Sequence, residues 1–138
     1  MRDPMFDYIL RLGDDALVLG QKLSQWCGHA PCLEVDLGLS SLALDLVGQG
    51  TDWLQLAAKI GHDGRPDGWD ADALAFQRPP AEFRNCLLVE QQNGDFAQTL
   101  ARQFLFSNYQ QLFLEALSGS THKGLAEIAA KSVSDVAY

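Results

Sequence analysis

Residues 33–60, LEVDLGLSSLALDLVGQGTDWLQLAAKI, decide the fold. The stretch predicts one long helix, with Gly61 as its stop. Its centre, LGLSSLALDLVGQ, is apolar almost all the way round, and a helix of that kind belongs inside a bundle. No strand-like alternation of period two appears here or elsewhere in the chain.

Upstream, residues 4–27 predict a first helix. Pro4 suits a first turn, and Phe6, Ile9, Leu10, Ala16, Leu17, Leu23 and Trp26 recur at helical spacing. Gly28 is a natural C-terminal stop before the turn at His29 to Pro31. Gly13 and Gly20 permit close approach by a neighbouring helix. Downstream, His62 to Asp70 reads as a loop, Asp70 to Phe76 as a short helix, and the stretch after Pro79-Pro80 as another, through Phe83 and Leu88. A third long helix opens at Gly94-Asp95-Phe96, with Asp95 and Gln98 spaced as a capping box. Phe96, Leu100, Phe104, Leu105, Leu112, Phe113 and Leu117 predict a wide apolar face on it. A fourth helix begins near His122, carries Leu125, Ile128, Ala129 and Val133, and is still running at Tyr138. The sequence therefore reads as cut short at its C-terminus. Four long helices with a longer crossover between the second and third predict an all-α, ferritin-like four-helix bundle, one domain over residues 1–138.

Composition narrows the function. Ten basic residues against 18 acidic ones give a net charge of -8, and no basic stripe exists, which excludes nucleic acid and anionic membrane surfaces as partners. The apolar runs are short and broken by Asp, Gln or Ser, so no membrane-spanning segment is expected. The N-terminus lacks the pattern of a signal peptide. Cys27, Cys32 and Cys86 form no CxxC pair and no zinc set, and are expected as reduced thiols of a cytoplasmic protein.

The chemistry of a ferritin-like centre is missing. Such a site takes a Glu from each of two helices and a Glu-x-x-His from each of the other two, the spacing that aims both side chains at the bundle axis. Three residues after Glu34, Glu82, Glu90, Glu115 and Glu127 stand Leu37, Asn85, Asn93, Ser118 and Ala130. His29 falls in a turn, His62 in a loop and His122 at a helix start, so no metal ligand set is expected in this chain. A polar stripe remains on the second helix: Asp45, Gln49 and Asp52. It is either a solvent-facing edge or a buried network. If buried, it must pair with Gln98, Arg102, Gln103 or Asn108, since an unpaired buried polar group costs about 2–7 kcal/mol. No nucleophile elbow and no phosphate loop are present.

Two long stretches carry a resemblance: LRLGDDALVLGQKLSQWCGHAPCLEVDLGLSSLALDLVGQ and NCLLVEQQNGDFAQTLARQFLF. They resemble the C subunits of bacterial ring-1,2-phenylacetyl-CoA epoxidases, and the likeness runs from about Leu10 to Tyr138. It implies a subunit of a monooxygenase complex in aerobic phenylacetate degradation. In that complex a homologous A subunit holds the di-iron site and binds substrate, a flavin and iron–sulfur subunit supplies electrons, and the C subunit is structural. The ligand helix of the catalytic subunit has a D-E-L-G-H type motif, and the matching stretch here is Asp45 to Gln49, DLVGQ. Leu46 stands at the Glu position and Gln49 at the His position. The resemblance thus implies a degenerate pseudo-site at Asp45, Leu46, Gln49 and Asp52, with no cofactor in this chain and the di-iron centre on the partner.

The leading expectation is a non-catalytic scaffold for the catalytic subunit and other subunits of the complex, with Trp26 and Trp53 as candidate interface anchors, Trp being enriched at interface hot spots; core or rim packing is the alternative for both. Family members run longer than this chain, so an exposed apolar helix face is expected, and self-association is one way to cover it. Two other readings are a metalloprotein whose site is completed by residues absent here and a homo-oligomeric helical bundle of unrelated purpose.

Overall fold

The computed structural model describes residues 4–60 and 70–137. Every regular element among them is helical: α1 (Pro4–Ser24), α2 (Leu33–Ile60), α3 (Ala71–Phe76), α4 (Leu87–Glu90), α5 (Phe96–Leu117) and α6 (Lys123–Ala137), with one 3-10 turn at Pro80–Glu82. Four long helices, with short ones in the connection between the second and third, are what a ferritin-like bundle requires. Gly61 and the loop containing His62 lie outside the described residues, as does Tyr138. The chain divides into two compact units, Met1–Glu90 and Gln91–Tyr138.

The first unit is built on α1 and α2. A Cβ on Gly13 would stand 3.0 Å from Leu54 and one on Gly20 3.0 Å from Val47, while Gly50 faces the backbone at Gly13 and Leu17. As the number rises along α1 it falls along α2, so the two helices are antiparallel. The expectation for Gly13 and Gly20 holds: hydrogen in place of a side chain lets the two backbones close together. Phe6, Ile9, Leu19 and Leu23 of α1 and Leu39, Leu46, Trp53 and Leu54 of α2 are buried. Each such side chain contributes roughly 1.5–3 kcal/mol relative to exposure.

Local chemistry explains the ends. α1 stops at Ser24, three residues earlier than the spacing predicts, and continues as turns through Cys27. Gly28 then takes φ +82°, which only glycine adopts without cost, and its amide donates to the Asp36 carboxylate at 2.7 Å. That bond ties the turn to the first turn of α2, where a negative charge also favours the helix dipole. Asp70 caps α3 by accepting from the Ala73 amide at 3.0 Å. The short helix expected through Phe83 and Leu88 is divided: the 3-10 turn ends before Phe83, which is extended, and the α-helix begins only at Leu87.

Burial of α2 all round does not occur. Leu33, Leu37 and Leu44 are exposed, the last at 73%. Within this unit α1 and α3 pack on α2 and leave one of its apolar sides bare.

In the second unit α5 and α6 pack together after a connection over residues 118–122. Asp95 caps α5, its carboxylate accepting from the Gln98 amide at 2.8 Å. His122 caps α6 in the same way, its Nδ1 accepting from the Leu125 amide at 3.3 Å. The wide apolar face expected on α5 is turned outward instead: Leu100, Phe104, Leu105 and Leu112 are exposed, Phe104 at 68%. The buried face carries Thr99, Arg102, Gln103, Phe106, Gln110 and Leu114. Apolar residues from Phe96 to Leu117 surround this helix, so hydrophobicity alone could not choose the face.

Candidate functional site

Asp45 to Gln49, the stretch that the resemblance sets against a ligand helix, lies mid-α2. The steps of four and three between Asp45, Gln49 and Asp52 place all three on one helix face. Gln49 is 4% exposed, whereas Asp45 and Asp52 are half-buried and each is engaged by a neighbour. The stripe is thus neither wholly a solvent-facing edge nor wholly buried: its centre is inside and its two ends are half-buried. Leu46 is buried and committed to the α1–α2 seam, its Cβ 3.3 Å from where a Cβ on Gly20 would stand. A carboxylate there would enter the tightest part of the helix contact.

The polar residues of α5 offered as partners for this stripe have hydrogen bonds inside their own unit. Arg102 Nη1 donates to the Gln91 carbonyl at 2.9 Å, Gln103 Nε2 to Ser107 at 2.9 Å, and Asn108 Nδ2 to the Phe104 carbonyl at 2.8 Å. Burial lowers the pKa of the Arg102 guanidinium.

Two half-buried carboxylates, a buried leucine and a buried amide do not fit a di-iron centre, which needs four carboxylates and two imidazoles. Among the described residues no three of His, Cys, Asp and Glu gather where one ion could bind. His29 is exposed in its turn and His122 is a helix cap. Cys27, Cys32 and Cys86 are free and exposed. No described helix is long and apolar enough to cross a membrane.

The two candidate anchors separate. Trp53 is 2% exposed, with its Cβ 3.3 Å from the position of a Cβ on Gly13. It is a core residue of the α1–α2 pair, and its indole has no surface left for a partner. Trp26, half-buried in the turn after α1, retains some.

A polar cluster not foreseen from sequence joins α1 to the crossover. Asp14 and Arg78 form an ion pair with both side chains fully buried. Asp14 accepts from Arg78 Nη1 at 3.1 Å, from Nη2, and from the Arg84 amide at 2.9 Å. Arg78 in turn donates from Nε to the Leu74 carbonyl at 2.6 Å and from Nη1 to the Glu82 carbonyl at 3.2 Å, and lies 4.3 Å from the centre of the Phe83 ring. The neighbouring Asp15 accepts from the Cys86 amide at 2.6 Å. Burial raises the pKa of the Asp15 carboxyl; the Cys86 hydrogen bonds oppose this and the Asp14 charge adds to it. Partial burial also raises that of the Cys86 thiol, with Asp15 adding to the effect. The cluster holds backbone rather than substrate: two carboxylates on one turn of α1 capture the segment 78–86, which has little helix of its own. The signal in the sequence was Asp14-Asp15, two adjacent acids within a helix whose neighbours are apolar.

The model of a family described as Phenylacetic acid catabolic protein matches residues 1–138. The C subunit of the 1,2-phenylacetyl-CoA epoxidase of Escherichia coli (strain K12) is 46% identical over 131 residues, which make up 95% of this chain and 51% of that protein. The chain spans about half the length of this curated relative. With a match over its whole length and that degree of identity, the chain belongs to the phenylacetic acid catabolic protein family.

Proposed function

We propose that this chain acts as a non-catalytic structural part of a phenylacetyl-CoA ring-epoxidising monooxygenase in aerobic phenylacetate degradation, where it binds and orients a homologous di-iron subunit. The observation that carries this reading is Leu46. It stands where the family resemblance puts a metal-binding Glu, and it is spent on the α1–α2 seam. Gln49, at the His position, is a buried amide that can donate and accept but does not replace an imidazole as an iron ligand. The relative with 46% identity is named as the C subunit of such an epoxidase, which supports a place among other subunits. In this reading the iron and the oxygen chemistry belong to the partner, the electrons come from a separate reductase subunit, and the complex is cytoplasmic. The chain supplies a rigid helical surface, stiffened by the Asp14–Arg78 clasp.

Co-expression with the di-iron subunit of the same organism, followed by purification and iron analysis of each chain, tests the proposal. A stable complex with iron on the partner alone is the expected result. Near-stoichiometric iron on this chain would favour a metalloprotein instead. Tight self-association with no affinity for the di-iron subunit would favour an unrelated homo-oligomeric bundle.

A further inference from the structure

Arg102 belongs to the second unit and is 4% exposed. It stands two turns into α5, and its Nη1 donates to the Gln91 carbonyl at 2.9 Å. Thr99, one turn earlier, donates from its hydroxyl to the Asn93 carbonyl at 2.7 Å. The two bonds hold residues 91–93 along the start of α5, and they use one corner of the guanidinium only. Nε and Nη2 are buried with no hydrogen-bond partner.

Those two nitrogens share an edge of the planar group. Their N–H bonds lie side by side and parallel, and this is the edge that grips both oxygens of a carboxylate at once. Arg keeps its charge inside a protein, and a buried cation is compensated by an anion and by hydrogen bonds. The acids of this unit are Asp95, Glu115, Glu127 and Asp135. Asp95 is spent as the cap of α5, Glu115 and Glu127 are exposed, and none of the four bonds to Nε or Nη2. Burial lowers the Arg102 pKa with no carboxylate opposing it.

Charge and size narrow the class of ligand. One guanidinium neutralises a monoanion, whereas a phosphate dianion would leave a net negative charge out of water. Both nitrogens are closed off from bulk solvent, which favours an anion of few atoms over a nucleotide or an acyl-CoA. Chloride meets the charge but offers a single centre to two parallel donors.

We infer that the Nε–Nη2 edge of Arg102 binds the carboxylate of a small monocarboxylic acid, of the size of formate or acetate. The site lies in this chain and does not depend on the proposed structural role.

The test uses this chain alone, with sodium formate as the probe and sodium chloride at equal ionic strength as the reference. The wild type should melt about 3–6 °C higher in formate once the anion stands roughly tenfold above its dissociation constant. Arg11→Met, which removes an exposed cation on α1, should keep this gain. Arg102→Met should lose it, and Arg102→Lys should lose most of it, because an ammonium keeps the charge but not the fork. In the wild type, which needs no variant to fold, the Nε–H proton resonance of Arg102 should shift on titration with formate and stay in place with chloride. An equal gain in chloride would reduce the effect to general salt and overturn the inference. A gain that survives in Arg102→Met, or an Nε–H resonance that formate leaves unmoved, would do the same. If Arg102→Met melts below the wild type in carboxylate-free buffer, the partner of this edge lies inside the chain and the inference fails.

Discussion

Replacing Asp14 by alanine should release the crossover from α1. The carboxylate accepts from both terminal nitrogens of Arg78 and from the Arg84 amide, and it and the guanidinium are fully buried. Its removal leaves a buried cation that keeps only the Leu74 and Glu82 carbonyls as acceptors. Breaking a buried pair by deleting one partner costs about 3–5 kcal/mol. Against the roughly 5–15 kcal/mol of a typical domain this is a large fraction. The expected fall in melting temperature is about 10–20 °C. Amide hydrogen exchange supplies the local readout, because the Arg84 and Cys86 amides donate to Asp14 and Asp15. Both amides should lose protection in Asp14→Ala before residues in the middle of α2 do. The double variant Asp14→Ala/Arg78→Met removes the stranded charge and should be more stable than Asp14→Ala alone. A melting temperature within about 2 °C of wild type, with Arg84 and Cys86 still protected, would refute the idea that this pair holds the crossover.

Three further outcomes follow from the same geometry. Gly50→Ala should destabilise by about 1–3 kcal/mol, because its Cβ would stand 3.3 Å from backbone atoms of Gly13 and Leu17 that cannot move aside; Gly48→Ala, with open space around it on the same helix, should gain about 0.5–1 kcal/mol. Urea midpoints of the two should move in opposite directions, and a shared direction would contradict the close approach of α1 and α2. Asp15 has a raised pKa in the folded chain, so the stability it contributes is full below the usual carboxylate range and is lost as pH rises through the raised value. Asp15→Asn should accordingly lose less stability than wild type between acid and neutral pH, and equal losses in a urea series would reject this. Arg102→Met should raise stability by about 1–3 kcal/mol, since Nε and Nη2 are buried with no acceptor among the described residues; a lower melting temperature would show that these groups have a partner.

The sequence by itself determined the helices and some of their ends. Residues 33–60 form the helix that their apolar pattern predicts, and Asp95 and His122 start the last two long helices, because pattern and capping act between residues close along the chain. The lack of a Glu-x-x-His pair was legible for a similar reason: that spacing is a fact about neighbours in the chain. Gly13 and Gly20 also announced a close helix contact, although not the partner residues Leu54 and Val47. Tertiary structure decided what depends on distant residues. It put Trp53 in the core and left Leu44 on α2 and Leu100 and Phe104 on α5 exposed. It also brought Asp14 to Arg78, 64 residues away. A helix with apolar residues on several sides has no face that burial energy prefers by itself, and a buried charge reveals its partner only when the chain has folded back on it.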